Sequence, residues 1–440
     1  MTAAISQNPE QLPSDELFDT DSVPADDSRS GGAASQGKIK VSRTKLWFLV
    51  HSWAALPIWI FLFFVCLTGS IATVSQEIVW LADPAVRARP PSSDAQVLGY
   101  DEILAAVNKA RPDAIVRNIA RPVKSQFALA VRVSYADGTS GIMHVNPYTG
   151  DIQGTQTGFD FRQFIRALHG WLLMPFNNGF NFGWYAVSLL GLPMLVSLVT
   201  GLVVYKKFWR GFLKPRLRVR QGARVFWGDF HRLAGIWSIP FVLIMAVTGL
   251  WFLTRALLSD FSISITTEGV PPVIARADVP TTSDGLKPPL ITLEQAAQRA
   301  RDVMPELQPL SVRLPGNAYD HIVVQGRGDY PLLFERLHIN PYNGAVESVR
   351  RVSDRSALEL VTESMRPLHT GDFAGLWLKL VYFFFGVLLT MMVFSGMLIW
   401  TKRTVQATAS ALKREGRDVR QLAAPQHATA SSATSMEGAQ

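Results

Sequence analysis

Four stretches of this 440-residue chain are apolar and long enough to cross a bilayer, and no soluble core could absorb them. They run 46–74, 184–205, 225–253 and 376–400, the third interrupted near its start by Asp229, His231 and Arg232. A crossing helix takes about 20 mostly apolar residues, and a helix apolar all round is not a surface helix of a soluble domain. Composition agrees: 48% hydrophobic and only 18% charged, with 25 Phe and 12 Trp, is more apolar and aromatic than an ordinary soluble domain. A net charge of +8 would suit nucleic acid if the bases formed a patch of their own. They stand instead beside the apolar runs, so membrane lipid is the expected partner and nucleic acid is not.

Short flanks set the direction of the spans. Lys38, Lys40, Arg43 and Lys45 precede the first; residues 206–224 carry eight Lys or Arg in 19 positions and no acid; Lys402 and Arg403 follow the fourth. The positive-inside rule puts all three flanks, and with them both termini, in the cytoplasm. The long loops, roughly 75–180 and 254–375, then lie outside, and their own charges do not count because long loops translocate regardless. Residues 1–37 hold seven carboxylates before the first base, Arg29, which is the opposite of a signal peptide and reads as disorder. The Ala-, Ser- and Thr-rich tail from residue 404 reads the same way. The single cysteine, Cys66, excludes an internal disulfide, a CxxC redox pair, a thiolate zinc site and a cysteine-ligated iron–sulfur cluster.

The second half of the chain copies the first. His51 precedes Thr68-Gly69 as His231 precedes Thr248-Gly249, with 18 residues from His to Gly in both (69 − 51 and 249 − 231). Spans two and four close alike, in Thr200-Gly201 and Ser395-Gly396. The loops match too: Met143-His144-Val145-Asn146-Pro147-Tyr148-Thr149-Gly150 parallels Leu337-His338-Ile339-Asn340-Pro341-Tyr342-Asn343-Gly344. The unit is span, external domain, span, used twice as parallel repeats about an axis along the membrane normal. Each external domain reads as a helix (100–111 and 292–304, with helical apolar spacing) followed by alternating stretches (126–135 and 321–325). Asp137-Gly138 and Gly326–Gly328 bound those stretches as hairpin signals. Small α+β domains with antiparallel sheets are the expected result, in a mainly α membrane protein with four transmembrane helices.

The histidines carry the chemistry. Of eight, His427 lies in the tail, and His144, His338 and His321 fall on strands, where a lone imidazole is usually structural. His51 and His231 sit eight and seven residues after Arg43 and Arg224, about 10–12 Å along equivalent helices from the basic flank. His169 and His369, in Arg166-Ala167-Leu168-His169 and Arg366-Pro367-Leu368-His369, precede spans two and four on the external side. Four histidines thus form two pairs, one near each face of the membrane. A b-type haem asks for two axial imidazoles in an apolar pocket, and two b-type haems so placed would carry electrons across the bilayer. Two other readings stay open: interfacial histidines bonded to backbone or headgroups, and a metal-ion conduit, which wants acids near the histidines and has mainly Asp229.

These residues resemble the PepSY-associated transmembrane proteins, bacterial inner-membrane proteins that include ferric-siderophore reductases. The likeness covers about 40–403 and rests on the span–domain–span plan, the Leu-His-Gly-Trp and Leu-His-Thr-Gly segments and the Asn-Pro-Tyr-X-Gly turns. It implies two small periplasmic PepSY-like domains and haem iron held by His51, His169, His231 and His369. It also implies an oxidoreductase that reduces siderophore-bound iron(III) in the periplasm; no further catalytic residue is implied. No Gly-rich nucleotide or flavin fingerprint is present, so the donor is a quinol, a reduced flavin or a cytoplasmic reductase. A membrane-anchored PepSY sensor or inhibitor, and a permease for iron or another small solute, are the competing functions. The expected organisation is an acidic tail (1–40), span one (41–80), PepSY-like domain one (81–160), and an interfacial segment with span two (161–208). A basic cytoplasmic loop (209–224), span three (225–258), PepSY-like domain two (259–355), an interfacial segment with span four (356–403) and a tail (404–440) complete it.

Overall fold

The computed structural model describes residues 43–205, 208–266, 268–282 and 288–422. The acidic N-terminal tail, Lys206, Lys207 and the last 18 residues lie outside the described residues. The elements in chain order are α1 (Arg43–Ala55), α2 (Trp59–Thr73), α3 (Ser75–Ala82), α4 (Tyr100–Ala110), β1 (Ala114–Ala120), β2 (Leu129–Tyr135), β3 (Ser140–Val145), β4 (Ile152–Gln156), α5 (Phe161–Trp171), α6 (Phe182–Leu189) and α7 (Gly191–Val204). They continue with α8 (Phe208–Leu213), α9 (Ala223–Trp237), α10 (Ile239–Asp260), α11 (Leu293–Val303), β5 (Gln308–Arg313), β6 (Ile322–Arg327), β7 (Glu335–Ile339), β8 (Val346–Arg350), α12 (Ala357–Thr370) and α13 (Gly375–Leu422).

Four helical segments are long and apolar enough to cross a membrane: Lys45–Thr73, Phe182–Val204, Ile239–Asp260 and Gly375–Ser410. The 225–253 stretch expected from hydropathy divides between two helices, α9 and α10. A proline marks the division. Ser238 ends α9, and Pro240 opens α10 in the first turn, where its missing N–H costs nothing. Pro57 likewise divides span one with a single 3₁₀ turn between α1 and α2. Each break changes the neighbour: α1 packs on α7 and α2 on α13, while α9 packs on α13 and α10 on α7. Small residues permit the closest approaches. A Cβ at Gly191 would stand 2.8 Å from the Ala246 carbonyl oxygen, and one at Gly386 2.6 Å from Ser70 Oγ. The tail read as disordered from residue 404 is helical as far as Leu422, its Ala, Gln, Arg, Lys and Leu residues being strong helix formers.

The strands give the larger correction. Instead of two separate small domains they form one eight-stranded antiparallel sheet, ordered β4-β3-β2-β1-β5-β6-β7-β8. The join is β1 on β5, with Asn118 opposite Arg313, Ile119 opposite Val312 and Ala120 opposite Ser311. Helices α4 and α11 cover one face, and their residues Ile103, Val107, Ala297 and Met304 share a single core with Val131, Met143, Val312, Val324 and Leu337. Reciprocal caps lock the two helices at the seam. The Asp101 carboxylate accepts from the N–H of Leu293 (2.8 Å) and of Glu294 (3.0 Å) at the start of α11, and Glu294 accepts from the N–H of Tyr100 (3.4 Å) at the start of α4.

The Asn-Pro-Tyr-X-Gly segments are structural turns. Asn146 and Asn340 accept from the N–H of Tyr148 (2.9 Å) and Tyr342 (3.0 Å), and Gly150 and Gly344 take the left-handed φ values of 78° and 75° that a side chain would disfavour.

A candidate cofactor site within the helix bundle

Each of the four histidines is presented by a different helix. His51 lies on α1, His231 on α9, His169 on α5 and His369 on α12. The basic-end helices are held by their own packing and by Asp229. This carboxylate is buried and ion-paired with Arg218 (2.9 Å) and Arg232, so it ties the basic segment after span two to α9. The other two helices hang from the sheet. Asp160 caps α5 by accepting from the N–H of Arg162 (2.9 Å) and Gln163 (3.1 Å). Arg350, at the end of β8, pairs with Glu359 and with Glu363 (3.1 Å) on α12, and Ser356 caps that helix.

The structure brings His51 and His231 together, with ring centres 6.3 Å apart and planes at 82°. His169 and His369 also meet, 6.1 Å apart with planes at 32°. The first pair lies at the basic end of the bundle and the second at the sheet end. Residues 51 and 65 on span one mark the two levels, so about 20 Å separates them along the helix.

All four rings are oriented by the same device. His51 Nδ1 is 3.0 Å from the Ser197 carbonyl and 3.0 Å from Thr200 Oγ1 on α7. His231 Nδ1 is 3.1 Å from the Met392 carbonyl and 3.0 Å from Ser395 Oγ on α13. His169 Nδ1 is 3.0 Å from the Val65 carbonyl on α2, and His369 Nδ1 is 2.7 Å from Thr248 Oγ1 on α10. A carbonyl oxygen only accepts, so Nδ1 of the first three carries the proton. Thr248 already gives its one hydroxyl proton to the Ile244 carbonyl (2.6 Å), so it too accepts from His369. Every Nε2 therefore keeps its lone pair. A histidine whose Nδ1–H is spent on a fixed acceptor is left in the tautomer that can ligate a metal through the other nitrogen.

The Thr-Gly and Ser-Gly pairs are part of this device. Each carbonyl contacted by Nδ1, at Val65, Ser197 and Met392, lies three residues before a hydroxyl residue and four before a glycine. A Cβ at Gly69 would stand 2.7 Å from His169 Cε1, one at Gly396 3.2 Å from His231 Cε1 and one at Gly201 3.4 Å from His51 Cε1. The missing side chain is what lets the imidazole reach the helix backbone. From sequence these pairs read only as markers of repetition and of close packing; their recurrence once per span was the signal of a shared task.

His144 and His338 sit on β3 and β7, away from the bundle pairs. His321, just before β6, lies 6.1 Å from His338.

A bundle of four membrane-length helices that brings together two matched imidazole pairs, fused to an α+β sheet, defines a multi-pass membrane protein. The family model for the PepSY-associated TM region matches residues 48–403, and the chain belongs to that family. A short stretch also resembles the uncharacterised protein PA4219 of Pseudomonas aeruginosa, 34% identical over 67 residues. That match spans 15% of this chain and 16% of the relative.

Proposed function

We propose that the bundle binds two b-type haems, one between His51 and His231 and one between His169 and His369, and passes electrons along its length. One observation carries this: the spacing of the paired rings. An imidazole nitrogen sits about 2.0–2.1 Å from a first-row metal and about 1.1 Å from its ring centre, so two rings facing each other across one iron have centres about 6.2–6.4 Å apart. The observed 6.3 Å falls inside that range, and 6.1 Å lies just under its lower end. Interfacial histidines would have no reason to face one another at this distance with Nε2 unspent.

The haems would supply one-electron chemistry, and the protein's part is to hold the rings neutral, oriented and in apolar surroundings that tune the potential. Arg166 and Arg366 stand one helical turn before the sheet-end histidines, and neither has a carboxylate partner among the described residues. They would meet haem carboxylates there. Burial first, and then the charges of Arg366 and Arg162, push the Arg166 guanidinium below its ordinary value. By the positive-inside argument the basic end is cytoplasmic and the sheet periplasmic in the inner membrane, the chain's tails being cytoplasmic. Electrons would enter from a quinol, a reduced flavin or a cytoplasmic reductase and leave at the sheet side to a ferric siderophore. Iron(II) binds hard oxygen donors less tightly than iron(III), so one electron frees the metal. A permease is less well supported, because the buried acid nearest the histidines, Asp229, is neutralised by two arginines.

The test is the visible spectrum of the purified protein, expressed with adequate haem, together with reduction of a ferric chelate in proteoliposomes. A Soret band and a reduced α-band are expected; colourless protein overturns the reading.

A further inference from the structure

A half-open cavity of about 370 Å³ lies over β5, β6 and β7 beside the β1–β5 seam. Its floor is a row of register partners, Arg313 opposite Val323 and Val323 opposite His338. These alternate along their strands with Val312, Val324 and Leu337 of the core, so the cavity is on the face of the sheet away from α4 and α11. One wall is the segment through Pro272 and Val273, held by the Ile274 N–H on the Tyr319 carbonyl (3.0 Å).

The polar groups here are unusually unspent. His321, with a side chain 1% exposed, bonds the Glu347 carboxylate through Nε2 at 2.6 Å, and Asn340 Nδ2 holds that carboxylate at 2.7 Å. Among the described residues His321 Nδ1 is buried without a partner, and so is His338 Nδ1, although both residues line the cavity. Buried polar atoms are costly when unsatisfied, so two in one cavity point to a missing partner. Arg117 is steered in by Nε on Ser134 Oγ (2.8 Å), and neither Arg117 nor Arg313 is ion-paired among the described residues. The one acid in the lining, Asp320, is turned to the Gly316 N–H (3.0 Å). His321, His338 and Asp320 make no metal-holding group among the described residues.

The equivalent row in the other half of the sheet is lined differently. There the partners are Ala120, Ala130, His144 and Gly154, with no arginine. The turn at Ala85 fills the space, since a Cβ at Gly154 would stand 2.9 Å from Ala85 Cβ.

We propose that this cavity binds a small polycarboxylate anion, with carboxylates on Arg117 and Arg313 and a hydroxyl group, able to donate, beside the two buried imidazoles. Guanidinium pairs carboxylate bidentately, which suits two arginines facing one ligand with several carboxylates. The volume falls in the range of small-molecule sites, about 300–1,000 Å³, and is too small for a folded partner. The site stands apart from the haem reading, because binding here leaves the visible spectrum of the bundle as an independent measurement.

Calorimetric titration of the full-length protein in detergent with citrate tests it, with succinate, glycerol and inorganic phosphate as comparators. Citrate should bind in the micromolar to millimolar range, succinate more weakly and glycerol not at all. R313Q should weaken citrate at least tenfold and R117Q by a smaller factor, both with an unchanged visible spectrum and melting temperature. H338Q should also weaken citrate. No heat with citrate at 10 mM on the unaltered protein overturns the proposal, whatever the variants do. So does phosphate binding as tightly as citrate, which would mark a general anion patch, or zinc binding in the absence of citrate binding.

Discussion

The two histidine pairs are built differently. At the basic end one ring comes from span one itself and the other from α9, which leads directly into span three, and each Nδ1 has two acceptors on a neighbouring span, a carbonyl and a hydroxyl. At the sheet end the rings come from α5 and α12, short helices outside the spans, and each Nδ1 has a single acceptor. Bundle packing alone therefore sets the first pair. The second depends also on the sheet, through the Asp160 cap and the Arg350 ion pairs that fix α12. Redundant orientation at one end and single support at the other imply unequal tolerance to change.

The most drastic way to separate the ends is to remove the ligands. His51→Ala and His231→Ala should each abolish the same haem, and His169→Ala or His369→Ala the other, as read by haem content and by redox titration of the remaining α-band. Loss of both haems from either single change would mean the pairs are not independent.

Glycine substitutions should grade the effect. Gly69→Ala places a methyl 2.7 Å from His169 Cε1 and should cost most of the sheet-end haem. Gly396→Ala, at 3.2 Å, should disturb the basic end modestly, and Gly201→Ala, at 3.4 Å, hardly at all. Equal losses in all three would remove the steric explanation.

Orienting hydroxyls come next. Thr248→Val takes the only acceptor from His369, and such supports are worth about 10–100-fold in metal affinity. Ser395→Ala and Thr200→Ala leave the Met392 and Ser197 carbonyls in place, so haem retention in dilution or apomyoglobin-transfer assays should fall much less.

The smallest expected effect is on pH, and it loads the sheet. Burial first, then the charges of Arg336, His321 and Arg313, hold His338 below its ordinary 6.5. The unfolded chain therefore binds the extra proton first, and stability should decline as pH falls through 6.5 until the folded value is reached. Glu347 is held below 4.5 by the Asn340 amide and then by His321, so its contribution is complete above 4.5 and disappears as pH falls through the lower folded value. Thermal melts should show both declines, and His338→Gln should lessen the first, which the half-buried His144 on β3 shares. A melting temperature flat from pH 7.5 to 5 would contradict this account of His338.

Much of the architecture was legible because it is local. Hydropathy marks the spans, since most residues of a bilayer-crossing helix must be apolar whatever the distant chain does, and the matched intervals from His51 to Gly69 and from His231 to Gly249 set equivalent depths. Asn-Pro-Tyr-X-Gly specified its turn through its own side chain and a glycine φ. Within the third apolar stretch Pro240 opens a new helix through backbone geometry while hydropathy runs on past it.

What the sequence determined by itself, then, is four spans, their flanking charge and four histidines at two depths, all properties of single segments. Only the tertiary structure decided that β1 pairs with β5 to merge two sheets into one, that each imidazole takes its acceptor from another helix, and that Arg117, Arg313, His321 and His338 converge on one cavity. Those are contacts between residues up to about two hundred positions apart, and hydropathy and spacing within a segment carry no term for the partner across the gap.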